Sequence, residues 1–179
     1  MEFFSNYIGL EQDIEDLFKS TFTDSEGSEE GALIAELVRN LFIDTAPDDI
    51  QVFLARAEND LVGAAVFTRL TYSKDPRVVF LLSPMAVATR WQGKGVGQRL
   101  LTEALASLRE AGVDVAITYG DPEFYGKVGF KTLTESIAQP PLPLSQPEGW
   151  IGQSLTEAPL AALKGSSTCV AALNDPSFW

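Results

Sequence analysis

Gly93, Gly95 and Gly97 alternate with Lys94 and Val96 in the run Arg90-Trp91-Gln92-Gly93-Lys94-Gly95-Val96-Gly97-Gln98-Arg99. A strand-like stretch precedes this run and a helix-like stretch follows it. Glycines at such a turn permit unusual backbone angles and close approach by a ligand. The first turn of a helix carries N–H groups with no intrahelical acceptor, and its dipole favours an anion. Arg90, Lys94 and Arg99 add positive charge to a chain that is otherwise acidic. Together these features suit a phosphate or pyrophosphate. A ligand-free glycine turn is the competing reading. Three alternate glycines count against it, because glycine's backbone entropy is a cost unless its freedom is used. Two nucleotide motifs are excluded. A P-loop requires Ser or Thr after Gly-Lys, and here Gly95 follows Lys94. A dinucleotide fingerprint requires Gly-x-Gly-x-x-Gly, and here the glycines are evenly spaced and position 98 is Gln.

The rest of the composition removes whole classes of mechanism. Histidine is absent, which excludes Ser-His-Asp and Cys-His catalysis and histidine-bearing zinc sites. Cys169 is the only cysteine, so no internal disulfide or thiolate cluster forms. It reads as a small apolar residue. No carboxylate spacing indicates a metal. Net charge is -12, and residues 1–60 hold 15 acidic and 3 basic side chains while residues 61–179 hold 10 of each. An acidic chain lacks the basic footprint that nucleic acid requires. The acidic third favours solubility first and a cationic partner second. No apolar stretch is long enough to span a membrane, and the Met1-Glu2-Phe3-Phe4 start lacks the basic region of a signal peptide. A cytoplasmic location is expected.

The elements that must position the glycine run can be read from periodicity. Ile14, Leu17 and Phe18 predict a short helix over 11–19, with a polar loop over 20–28. Ser28 reads as the cap of a helix over 29–42, with Leu33, Leu37, Val38 and Leu41 as its stripe. Strands are predicted over 52–56 and 61–70, joined by Glu58-Asn59-Asp60 as a hairpin. Val78 to Val87 reads as a long apolar strand. Pro84 lies inside it, cannot donate to a ladder and predicts a bulge. A helix follows over 98–111, then a strand over 113–118 and a compact turn or short helix over 121–130. Pro140, Pro141, Pro143 and Pro147 mark an extended loop over 139–149, and Val170 to Leu173 reads as a last short strand. One mixed α/β domain is expected.

At this point the chain resembles a known family. Gln92-Gly93-Lys94-Gly95-Val96-Gly97 resembles the (Arg/Gln)-x-x-Gly-x-(Gly/Ala) pyrophosphate loop of the GNAT acyl-CoA-dependent N-acetyltransferases. Leu82-Ser83-Pro84-Met85-Ala86-Val87 resembles that family's fourth strand. Gly120-Asp121-Pro122-Glu123-Phe124-Tyr125-Gly126-Lys127-Val128-Gly129-Phe130 resembles its tyrosine-containing segment, and within the family the YhbS-like group is most similar. The resemblance is strong over 80–130 and weaker in the first 50 residues and the tail. It implies a GNAT-like acyl-CoA N-acyltransferase fold: α/β, with a mixed, mostly antiparallel sheet, splayed central strands and flanking helices. It implies a single domain over 1–179, with 139–179 as a family-specific C-terminal extension packed on it.

The resemblance further implies acetyl-CoA as acyl donor and an amine-bearing small molecule or peptide as acceptor. Backbone groups of Met85, Ala86 and Val87 would hold the pantetheine and acetyl group, with the Val87 N–H facing the oxyanion. The loop Gln92, Gly93, Lys94, Gly95, Val96, Gly97 and on to Gln98 would hold the pyrophosphate. Tyr125 is the family-matched general acid for the departing thiolate, although packing beside Phe124 and Phe130 would also explain it. For the base, Glu29, Glu30, Glu36 and Asp121 are candidates, with Glu30 and Asp121 carried forward. Asp121 also suits a cap with Pro122 behind it, and a water chain could replace a dedicated base. Trp91 reads either as a ligand contact or as packing, and Trp150 and Trp179 as packing residues. Homodimers are common among similar proteins. A non-catalytic acetyl-CoA or CoA sensor and an interaction domain with a degenerate cleft are the alternatives.

Overall fold

In the computed structural model, which describes residues 1–179, seven strands form one sheet in the order β1-β2-β3-β5-β6-β8-β7. These are β1 (Glu2–Phe4), β2 (Ile50–Ala57), β3 (Asp60–Arg69), β5 (Val79–Val87), β6 (Val115–Tyr119), β7 (Lys131–Thr132) and β8 (Trp150–Ser154). Only the β5–β6 pair is parallel. The β2–β3 strands are apolar almost throughout because helices cover both faces of the sheet. Val52, Leu54 and Val66 face the cluster under α1 (Glu11–Glu26) and α2 (Ser28–Asp44). Phe53, Ala55 and Phe67 face the cluster under α3 (Val96–Glu110).

Pro84 sits where the β3–β5 register slips. Ala65 pairs with Met85, but Phe67 pairs with Leu82. The extra residue reverses the alternation of β5. Before it, Val79 and Leu81 face α1 and α2, and Leu82 faces α3. After it, Ala86 faces α1 and α2, while Met85 and Val87 turn to the α3 side. The bulge thus aims two side chains at the glycine run.

The polar loop expected over 20–28 is instead helical. α1 runs to Glu26, with Thr21 buried and Phe22 stacked on Phe18. Packing against α2 overrides the weak helix preference of Ser, Thr and Asp. The crossing is close: a Cβ on Gly31 would lie 2.0 Å from Thr23 Oγ1. Gly27, at φ 101°, alone separates the two helices. It occupies the cap position expected for Ser28, which is the first residue of α2.

Residues 139–179 contribute a strand, β8, to the main sheet. β8 lies inside them and pairs with both β6 and β7, so it is an interior strand. Val170–Leu173 is not a strand, since residues 171–173 form a 3-10 turn. The pairing segment is β9 (Ser167–Thr168), against β4 (Thr71–Tyr72). The tail is held to the β4–β5 connection by Arg77, which donates to the carbonyls of Ala161 and Ala162 at 2.9 and 2.8 Å and pairs with Asp75 at 2.7 Å. The proline-rich loop is also tied down, because Gln146 N–H donates to Tyr119 Oη at 2.5 Å. Trp150 and Trp179 are buried and donate to the carbonyls of Ala138 and Leu173.

Candidate active site

β5 and β6 run together from the Val79–Val115 pair to the Leu82–Thr118 pair and then part. β3 still covers one edge of β5 as far as Val87, and the other edge has no strand beside it. Ala88 N–H donates to Val62 O at 2.8 Å. Peptide groups alternate along a strand, so the N–H groups of Val87 and Met85 face the uncovered edge. The Val87 carbonyl, on that same edge, accepts from Gln92 Nε2 at 2.9 Å and fixes the start of the glycine loop.

Beyond Gln92 no backbone N–H from Gly93 to Gln98 donates to an acceptor in the protein. Gly93 and Gly95 hold φ 72° and 79°, and a Cβ on either would meet nothing within 4 Å. Their role is backbone conformation beside open space. Gly97 differs: a Cβ there would lie 3.0 Å from Phe124 Cζ. It lets α3 pack against α4 (Pro122–Gly126), the helix that carries Tyr125.

These pieces surround a cavity of about 500 Å³. Met85, Ala86, Val87, Gln92, Gly93, Gly95, Val96, Gly97, Gln98 and Tyr125 all line it. Lys94 does not. Its Nζ lies 5.0 Å from the centroid of the Trp91 ring. The other two cations of the run are engaged, Arg90 with Asp60 Oδ2 at 2.5 Å and Arg99 over the Phe3 ring. Trp91 lines the cavity, and its buried indole N–H has no acceptor in the protein.

Tyr125 also borders a second cavity, of about 280 Å³, which Glu30 and Met85 share. Its hydroxyl points at Met85 Sδ, 3.9 Å away. Burial pushes the phenol up to about 12; the Thr118 hydroxyl opposes the rise and the Asp121 charge adds to it. Tyr125 is therefore a neutral donor at neutral pH. The other candidate carboxylates are placed elsewhere. Asp121 caps α4 by accepting the Glu123 N–H at 2.9 Å and lines neither cavity. Glu29 and Glu36 are exposed and line neither. Cys169 is half-buried, and burial pushes its thiol up, away from reactivity.

Sequence reasoning missed the far wall of the second cavity. Phe22 and Ile34 from the α1–α2 pair and Ser177 and Phe178 from the tail form it. No spacing could have signalled this, because these residues come from opposite ends of the chain.

A family model described as an acetyltransferase (GNAT) domain matches residues 48–132, which hold β5, the glycine loop and Tyr125. The chain is 33% identical over 140 residues to the uncharacterized N-acetyltransferase YjhQ of Escherichia coli, covering 75% of this chain and 77% of the relative. The chain belongs to the GNAT N-acetyltransferase family. As expected for a GNAT protein, its fold matches solved family structures. The crystal structure of Escherichia coli YhbS in complex with CoA superposes with a TM-score of 0.83 at 20% identity, over 98% of this chain and 92% of that one. A GNAT acetyltransferase from Brucella melitensis in complex with acetyl-CoA gives 0.76 at 20% identity, over 97% of each chain. The superposition includes most of the C-terminal tail. No helix is long and apolar enough to cross a membrane.

Proposed function

We propose that this GNAT protein transfers an acetyl group from acetyl-CoA to a primary amine. One arrangement carries the reading: the unpartnered N–H groups of Gly93 to Gln98 lie beside the uncovered edge of β5, and Tyr125 borders the same cavity. The N–H groups at the start of α3 would receive the pyrophosphate. The pantetheine would lie along Met85–Val87 as an added strand. The complexes of YhbS with CoA and of the Brucella protein with acetyl-CoA are consistent with this donor.

An alkylammonium has a pKa of about 10.4 and must lose a proton before attack. Glu30 is the carboxylate that lines the second cavity and can receive it, directly or through water. The amine lone pair then forms a C–N bond to the thioester carbonyl. The resulting oxyanion faces the Val87 N–H. Collapse breaks the C–S bond. Tyr125 protonates the thiolate and regains a proton from the nitrogen. Amide and free thiol leave, with one net proton released. Asp121 has no part in this scheme, because its carboxylate is committed to the α4 cap.

Calorimetric titration with acetyl-CoA, 3′-dephospho-CoA and adenosine tests the donor site. Binding that survives loss of the 3′-phosphate and fails with adenosine is expected. Thiol release in the presence of amines separates an enzyme from a CoA sensor. No acetyl-CoA binding by folded protein would overturn the reading.

A further inference from the structure

The acidity of the N-terminal third is compatible with a cationic partner, but the second cavity carries only one carboxylate. Glu30 is the only acidic residue among those lining it, and no lysine or arginine lines it. Glu30 is half-buried and takes part in none of the protein's ion pairs. No other acid of α1 or α2 lines it; Glu15 is paired with Arg39, and Glu36 and Asp44 line a separate cavity on the far side of Leu37 and Phe178. Much of the wall is apolar, built by Phe22, Ile34, Leu37, Pro84 and Phe178. Among its few polar groups, the Thr118 hydroxyl already donates to Leu82 O at 2.9 Å. The cavity, at about 280 Å³, is small, just below the usual range of roughly 300–1,000 Å³ for ligand pockets.

Resting on the acetyl-transfer reading, we infer that the acceptor is a small monoamine with an apolar body, its ammonium held by Glu30 and its body packed against Phe178. One unpartnered carboxylate neutralises one ammonium. A polyamine or aminoglycoside would leave further ammonium groups desolvated against apolar walls, which is unfavourable. An amino acid or a phosphorylated amine would need a cation for its anionic group, and the cavity has none. The tail thereby sets acceptor size, since Phe178 is the wall supplied by the far end of the chain.

The test pairs binding with turnover. 2-Phenylethylamine, benzylamine, spermidine, kanamycin and glycine are titrated into the CoA-saturated protein by calorimetry and assayed with acetyl-CoA by thiol release. The aryl monoamines should exceed the other amines by about tenfold or more in kcat/KM. Glu30→Gln should raise their KM about tenfold, leaving the acetyl-CoA Kd unchanged. Phe178→Ala should move the preference toward bulkier monoamines. Faster turnover of spermidine, kanamycin or glycine overturns the inference while acetyl transfer stands. Aryl monoamine binding without any thiol release supports the site and overturns acetyl transfer. An unchanged KM in Glu30→Gln, or no aryl monoamine binding at all, overturns the inference.

Discussion

Tyr125 Oη lies 3.9 Å from Met85 Sδ, and these two side chains border both the cavity beside the glycine loop and the cavity beside Glu30. In the proposed reaction, a phenol at that junction would protonate the leaving thiolate from between the two cavities. Tyr125→Phe keeps the ring packing against Phe124 and Phe130 and removes only the proton. Turnover is expected to fall by about 10²-fold or more, with the acetyl-CoA Kd unchanged. Steady-state kinetics and calorimetry on the same preparation check this, and wild-type turnover in the variant would remove Tyr125 from the mechanism.

Gly95→Ala and Gly97→Ala should both weaken acetyl-CoA binding, for different reasons. Gly95 sits at φ 79° in open space, where an L-residue costs about 1–2 kcal/mol. Gly97 is helical, but its Cβ would press to 3.0 Å on Phe124. Gly95→Ala should therefore lower the melting temperature and loosen the ligand loop. Gly97→Ala should also displace Phe124 and Tyr125, so it should lose turnover beyond its loss of affinity. Thermal melts and the split between kcat and Kd distinguish the two.

The buried phenols predict alkaline behaviour. Burial raises both Tyr72 and Tyr125, the latter to about 12. A phenol held above its ordinary value of about 10 binds its proton more tightly in the folded state. Its contribution to stability is complete below about pH 10 and is lost as pH climbs through the folded value. Absorbance titration near 295 nm should show at least two of the four tyrosines ionising late, with unfolding. Tyr125→Phe should remove one late step. Across the working range the rate should rise with pH as the amine deprotonates, with no alkaline limb from Tyr125.

Asp75 is buried against Arg77, whose guanidinium holds the carboxyl well below the usual range, and Lys164 N–H adds to this. A depressed folded pKa gives stability that is present above the ordinary value and lost as pH falls below it. Asp75→Asn should cost about 1–3 kcal/mol at neutral pH, and the gap from wild type should begin to narrow as pH falls below about 4, continuing down through the depressed folded value. Denaturant melts at several pH values check this. The variant also frees Arg77 from its partner, so the tail that carries Phe178 should become more sensitive to proteolysis.

Some of the protein was legible from its residues alone. The alternating glycines, the β2–β3 hairpin, the apolar β5 with Pro84 inside it and the amphipathic α3 are local patterns, set by backbone sterics and side-chain period. They lie between Ile50 and Glu110, and the cavity beside the glycine loop is built almost wholly from that stretch and from α4 just beyond it. The length of α1 was not legible, because its polar second half is helical only through close packing on α2 at Gly31. β8 was not legible either, because a strand containing Gly152 and Gln153 is stabilised by its neighbours on both sides. The carboxylates show the same division. Glu29, Glu30 and Asp121 are equivalent in sequence, but only Glu30 is turned into a cavity with no partner, and Asp121 is consumed as a cap. The second cavity joins α1, α2, the ends of β5 and β6, and the last residues of the tail. Its chemistry depends on contacts between segments more than 140 residues apart. Such contacts leave no period or spacing in a sequence, so the glycine-loop cavity was written locally and the Glu30 cavity was decided by the tertiary fold.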